Sequence, residues 1–303
     1  MTKVEAITVP VDLPVLKAQK VTLHIKREDL LFPELSGNKY RKLKYNLEAA
    51  RSGGHKTLIT FGGAFSNHLH ATAAAGKQYG FRTVGLVRGE ELGEKPLNPT
   101  LGRARQWGMK LVFLSRKEYR LKSDPYFLKT LMDSHGPAYL LPEGGTNELA
   151  VRGCSEILTP ADRDFTHVCC PVGTGGTLAG LVRSAQPGVR ILGYPALKAP
   201  DLQKEFRTWI SEDNWELVPD YHFGGYGKIN RELIDFVNDF KRKTGIPLDP
   251  VYTGKMLFGI LADIRQGRLG SGSRVLAIHT GGLQGIAGMN MQLKKKNLPL
   301  LHL

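Results

Sequence analysis

The chain has 303 residues, with 42 Lys+Arg against 28 Asp+Glu for a formal net charge of +14, and 41% hydrophobic content. That content excludes a disordered chain, and the length suffices for two domains with a core each. The positive balance points to an anionic partner, a demand that a nucleic acid, an acidic lipid or a phosphorylated small molecule would each meet.

Short apolar runs alternate with helical patterns along the chain. A helix is predicted over Tyr40–Ala50, a strand over 57–61, a helix over Asn67–Tyr79, and strands over 83–87, 110–114 and 138–141. The second half continues with a strand over 167–172, a helix over Thr177–Ala185 and a strand over 190–194. Helices over Arg231–Lys243 and Gly254–Gln266 and a strand over 274–278 complete the pattern. Several strands lack polar alternation, as strands buried on both faces of a parallel sheet do. The pattern predicts an α/β protein with helices on both faces of its sheets. No repeat or linker interrupts it, so a two-domain chain crosses between its domains more than once.

Three cysteines, Cys154, Cys169 and Cys170, are too few for a disulfide framework, and there is no CxxC pair to suggest a zinc ribbon. The opening MTKVEAITVP contains no apolar secretory stretch. Two uncharged runs, 165–182 and 275–293, are broken by glycines and polar residues, and read as buried α/β segments in place of membrane spans. A cytoplasmic location without a membrane partner is expected.

Three segments concentrate chemistry. Leu35-Ser36-Gly37-Asn38-Lys39-Tyr40-Arg41-Lys42 follows a turn at Phe32-Pro33-Glu34 and opens a helix. At that helix end the macrodipole, with Arg41 and Lys42 nearby, disfavours another ammonium and lowers the pKa of Lys39, as a Schiff-base or proton-abstracting lysine requires. Lys42, one turn on, shares its face; a plain solvated basic turn is the other reading. The second segment, Thr60-Phe61-Gly62-Gly63-Ala64-Phe65-Ser66-Asn67-His68, runs from a strand into a helix capped by Ser66 or Asn67. Its free N–H groups suit a carboxylate or phosphate, or serve only as an ordinary cap. His68 and His70 lie on different helix faces at this spacing, so no metal site is expected.

The third segment, Cys170-Pro171-Val172-Gly173-Thr174-Gly175-Gly176-Thr177, leads into an apolar helix. Its glycines let successive N–H groups converge on an anion, so a phosphate cup or a plain tight turn is expected. It is neither a Walker loop nor a dinucleotide fingerprint. Further on, Asp249-Pro250-Val251-Tyr252-Thr253-Gly254-Lys255 places two hydroxyls before a helix, His279-Thr280-Gly281-Gly282 follows a buried strand, and Tyr226 sits among glycines.

KREDL (26–30), SGNKYRKL (36–43), SNH (66–68), GTGGT (173–177) and DPVYTGK (249–255) occur in this order. Together they resemble the fold-type-II pyridoxal-phosphate (PLP) enzymes, and more narrowly the 1-aminocyclopropane-1-carboxylate (ACC) deaminase and D-cysteine desulfhydrase family. The resemblance implies two open twisted sheets flanked by helices, as in the tryptophan-synthase β chain. It implies a larger PLP-binding domain from 1–49 and 150–303, and a smaller substrate-side domain from 50–149. PLP is then linked to Lys39, its phosphate held by Gly173, Thr174, Gly175, Gly176 and Thr177 with support from Lys42, and Asn67 lies beside the ring hydroxyl. Ser66, Asn67 and His68 receive the carboxylate of a small amino-acid substrate, and Tyr226 and Tyr252 line the substrate side. A homodimer is expected on the same ground.

Members that open the cyclopropane ring have Glu after the matching tyrosine, facing the ring nitrogen; here Thr253 stands in that position. A hydroxyl there favours a less protonated ring, so α,β-elimination of a small D-amino acid such as D-cysteine, to pyruvate, ammonia and sulfide, is the expected reaction. Ring opening of ACC to 2-oxobutyrate and ammonia is the alternative within the family. A nucleic-acid-binding protein is the alternative outside it; the basic runs 241–243 and 294–296 lack any accompanying motif and read as solvated helix faces.

Overall fold

The computed structural model describes residues 4–302 except Pro33, Ser36, Ala199, Thr208 and Trp209. Ser36 of the lysine segment and Pro33 of the turn before it therefore lie outside the described residues. Among the described residues ten strands are formed: β1 Thr8–Val11, β2 Thr22–Lys26, β3 Thr57–Gly62, β4 Arg82–Arg88, β5 Met109–Leu114, β6 Ala138–Leu141, β7 His167–Val172, β8 Arg190–Pro195, β9 Trp215–Leu217 and β10 Arg274–Ile278. They make a six-stranded sheet in the order β1-β2-β10-β7-β8-β9 and a four-stranded sheet in the order β5-β4-β3-β6. Every pairing is parallel except β1 with β2. This is an α/β fold with two sheets flanked by helices.

The run TLITFG has no polar alternation because all six residues of β3 are buried, with helices on either side. The predicted helix over Asn67–Tyr79 forms with those bounds; Ser66 caps its start and Gly80, at φ +77°, ends it. Asn230 and Gly245 bound the Arg231–Thr244 helix in the same way. Strands β1, β2 and β9 are not among the predicted elements: Pro10 interrupts β1, and β9 has only three residues. Among the described residues no helix is long and apolar enough to cross a membrane.

One helix, Asn38–Ser52, is embedded on several sides. It meets the Glu148–Cys154 helix so closely that a Cβ on Gly153 would lie 1.9 Å from the Arg41 carbonyl oxygen, so only glycine fits there. The buried Arg41 guanidinium donates to both oxygens of buried Glu28, at 2.9 and 2.8 Å. Lys44 donates to both oxygens of Glu156, at 2.8 and 2.7 Å. These two pairs fix the helix in rotation and depth.

Candidate active site

The first turn of the Asn38–Ser52 helix is set by Gly37, whose φ of +58° is poorly tolerated by other residues and whose Cβ would lie 2.2 Å from the Thr280 carbonyl oxygen. The loop after β10 is thereby pressed against the start of the helix, and Thr280 reaches the wall of a cavity with about 500 Å³ of empty volume, alongside Lys39 and Lys42. The half-buried Lys39 donates to the Gly144 carbonyl at 3.3 Å. Lys42 donates to the same carbonyl at 3.0 Å, to Thr146 Oγ1 at 2.9 Å and to Thr174 Oγ1 at 3.3 Å. Burial, and then the charge of Lys42, pull the Lys39 pKa well below the ordinary lysine range. Arg41, expected to contribute, is occupied by Glu28. Among the described residues Lys42 has no carboxylate partner.

Strand β7 delivers the glycine loop to the same cavity. Gly175, at φ +76°, turns the chain into the Gly176–Ser184 helix, whose start no side chain caps. A Cβ on Gly176 would stand 2.9 Å from Thr146 Oγ1 and 3.2 Å from Lys42 Nζ, and one on Gly173 would stand 3.2 Å from the Tyr252 ring. Glycines thus keep the main chain bare where the helix end faces Lys42, a seat for an anion. Thr177 Oγ1 accepts from Asn38 Nδ2 at 2.8 Å, tying the two segments together.

The Ser66-Asn67-His68 segment divides its labour. Ser66 Oγ caps its helix, accepting from Leu69 N at 3.2 Å. Asn67 lines the cavity and a second one beside it, with about 530 Å³ of empty volume. His68 is not among the lining residues of either cavity. It is buried, with Nε2 2.8 Å from Thr60 Oγ1, and Thr60 donates its own proton to the Leu141 carbonyl, so His68 Nε2 is the donor. Burial, with the charges of Lys39 and Lys42, holds its pKa well below the usual histidine value and keeps the ring neutral. His70 packs edge-on against Trp107, with ring centroids 4.8 Å apart, and shares no ligand with His68.

Tyr252 lines both cavities, and Tyr226 lines the second. Their rings lie 6.0 Å apart at 68°. Tyr226 is 51% exposed, yet burial of its surroundings raises its pKa; burial raises that of Tyr252 further. Thr253 lies off the wall. Its Oγ1 donates to Asp249 Oδ1 at 3.1 Å and accepts from Asp249 N at 2.9 Å. Asp249 also accepts from the main-chain N–H groups of Val251, Tyr252 and Thr253, while burial pushes its pKa up.

Gly144, Thr146 and Thr280 were not singled out as site residues from the sequence. Thr280 belongs to the strand–glycine segment at 279–282 and had a signal there; Gly144 and Thr146 lie in PEGGTNE, which has no local sign of chemistry.

The family model for pyridoxal-phosphate-dependent enzymes matches residues 3–281. A protein of Thermotoga maritima, named provisionally as an ACC deaminase, is 33% identical over 297 residues, covering 89% of this chain and 92% of its own. The bifunctional D-cysteine desulfhydrase/ACC deaminase of Arabidopsis thaliana, described as mitochondrial, is 31% identical over 292 residues, covering 87% of this chain and 73% of its own. A crystal structure of an ACC deaminase homologue superposes with a TM-score of 0.84 at 29% identity, covering 96% of this chain and 93% of that one. The chain therefore belongs to the pyridoxal-phosphate-dependent enzymes of fold type II, in the family of the ACC deaminases and D-cysteine desulfhydrases.

Proposed function

We propose that the protein eliminates a β leaving group from a small D-amino acid, with D-cysteine giving pyruvate, ammonia and sulfide. The observation that carries this reading is the wall of the first cavity, where no lining residue among those described is acidic. Ring nitrogen protonation is favoured by a facing carboxylate. Here the acidic residue of the neighbouring cavity, Asp249, has its oxygens taken up by N–H and O–H donors. The Arabidopsis thaliana relative, named for D-cysteine desulfhydration, supports the same reading.

The residues suit the cofactor. The uncapped helix end at Gly176, glycines that leave no space for a Cβ, and the uncompensated Lys42 fit a phosphate, while Lys39 offers an amine of lowered pKa on the same wall. In this reading Gly173, Thr174, Gly175, Gly176 and Thr177 bind the phosphate, and Lys42 balances its charge. Bound pyridoxal phosphate supplies an electron sink for the charge that develops at Cα. Asn67, with the N–H groups of its helix end beside Ser66, orients the substrate carboxylate, and buried His68 braces that helix from behind. Lys39 takes the Cα proton. In this reading the Tyr226–Tyr252 pair, on the cavity walls, hands a proton to the departing sulfur, Tyr226 being the easier of the two to deprotonate. The segment 50–149 serves as the smaller, substrate-side domain, and 1–49 with 150–303 as the larger one.

Release of 2-oxo acid from D-cysteine, D-serine, L-cysteine and ACC tests the reaction. D-Cysteine is expected to give pyruvate at the highest kcat/KM. A higher kcat/KM for 2-oxobutyrate from ACC would replace this reading with ring opening, which the name of the Thermotoga maritima relative favours. Lys42→Met tests the phosphate seat separately. A hydrogen bond to a charged group contributes about 1.5–3 kcal/mol, so cofactor affinity is expected to fall about 10- to 150-fold in an absorbance titration. An unchanged affinity would remove Lys42 from the seat.

A further inference from the structure

The helix that begins beside Tyr252, Thr253–Arg265, carries a lysine to which the reaction above gives no part. Lys255 is 1% exposed, and its ammonium donates to three main-chain carbonyls: Ala196 at 3.2 Å, His222 at 2.9 Å and Gly225 at 2.8 Å. Two of the three belong to the loop that holds Tyr226. That loop has an unusual backbone: Phe223, Gly224, Gly225 and Gly227 all have positive φ, at 52°, 86°, 119° and 66°. Two of the three carbonyls also close turns of this loop, His222 accepting from Gly225 N at 3.0 Å and Gly225 from Lys228 N at 3.1 Å, so the ammonium is a second donor to each and joins the loop to the helix. Burial lowers the Lys255 pKa to about 8, with Asp249 pulling the other way, so the group is mostly charged at neutral pH. The charge strengthens all three bonds. The same helix also meets the loop through Phe223 and Phe258, whose rings are 4.9 Å apart and edge-on.

We propose that Lys255 is a positioning residue, the fixed cation of a carbonyl cage that sets Tyr226 against Tyr252. The cage joins the helix that Tyr252 precedes to the loop that Tyr226 occupies, so the spacing of the two hydroxyls depends on one ammonium group. This rests on the proton-delivering role given above to the tyrosine pair. A lysine that only filled a gap would need no fan of three acceptors, two of them in the loop of a working residue.

Two measurements on the holoenzyme test this. In Lys255→Met, amide hydrogen exchange over residues 222–228 is expected to quicken at least about tenfold, while strand β7 keeps its protection. That readout needs no substrate, so it judges the cage even if the assigned reaction is wrong. For activity, Lys255→Met, Tyr226→Phe and the double variant form a cycle. Lys255→Met alone is expected to lower kcat on D-cysteine about 10- to 100-fold, the scale of a small misplacement. In the Tyr226→Phe background it is expected to add less than about twofold, because the group it positions is already gone. Unchanged exchange at 222–228, or effects that multiply, would overturn the proposal. If Lys255→Met does not fold, Gly225→Ala strains the cage from the acceptor side, at a residue with φ +119°, and is expected to give the same exchange and the same non-additive cycle; a multiplicative result there overturns the proposal equally.

Discussion

Lys39→Ala is expected to reduce turnover at least about 10⁴-fold, the upper range of what one positioned acid–base group supplies. The cofactor's visible absorption should shift to that of the free aldehyde, because no amine remains at that place on the wall to engage it. Binding should persist, since the phosphate seat lies on the glycine loop and Lys42, on other residues of the same cavity. Activity, an absorbance spectrum and a cofactor titration together check the three outcomes. Retention of even a few per cent of wild-type turnover would remove Lys39 from the chemistry. The physical basis is the lowered pKa: an exposed lysine is almost wholly protonated at neutral pH, whereas burial and the neighbouring charge of Lys42 give Lys39 a usable unprotonated fraction.

The second large effect is on stability. Arg41→Met should destabilise the protein by about 3–5 kcal/mol, because it leaves the Glu28 carboxylate buried without a counter-charge. Glu28 is 0% and Arg41 1% exposed, so water reaches neither charge in the fold. Removing both charges, as in Glu28→Met with Arg41→Met, should recover most of the loss, since two well-packed apolar residues replace the pair at little net cost. Denaturant unfolding of the wild type and the two variants measures this. A single variant as stable as the wild type, or a double variant no better than the single, would show that the pair is not what holds this helix.

Much of the fold was legible because its strands are buried on both faces and read as continuous apolar runs. TLITF, HVCCPV and RVLAI each became a sheet strand near its predicted bounds. The site was legible where function concentrates locally: a lysine at a helix start, glycines after a strand, a serine cap. What escaped reading arises from contacts distant in sequence. Gly144 and Thr146 approach Lys42 from positions 102 and 104 residues away, a relation that no local pattern encodes. The orientation of Thr253 was equally hidden. Its place after Tyr252 suggested that its hydroxyl faces a ligand, but Asp249, four residues earlier, closes a turn on that hydroxyl and draws it inward. For His68 the side chain that seemed available at a helix end is claimed by Thr60 on the neighbouring strand.

The ion pairing of the Asn38–Ser52 helix has one further meaning. Arg41 and Lys44 each find a carboxylate within the fold, while Lys42 meets only two hydroxyls and a carbonyl. In electroneutrality terms, Lys42 is a positive charge that the described residues do not balance, and the anionic ligand proposed for it would be its counter-ion as well as the carrier of the chemistry. On that reading small multivalent anions such as phosphate and sulfate are expected to compete for the same seat, so the buffer in which the cofactor-free protein is kept should influence how readily it loads.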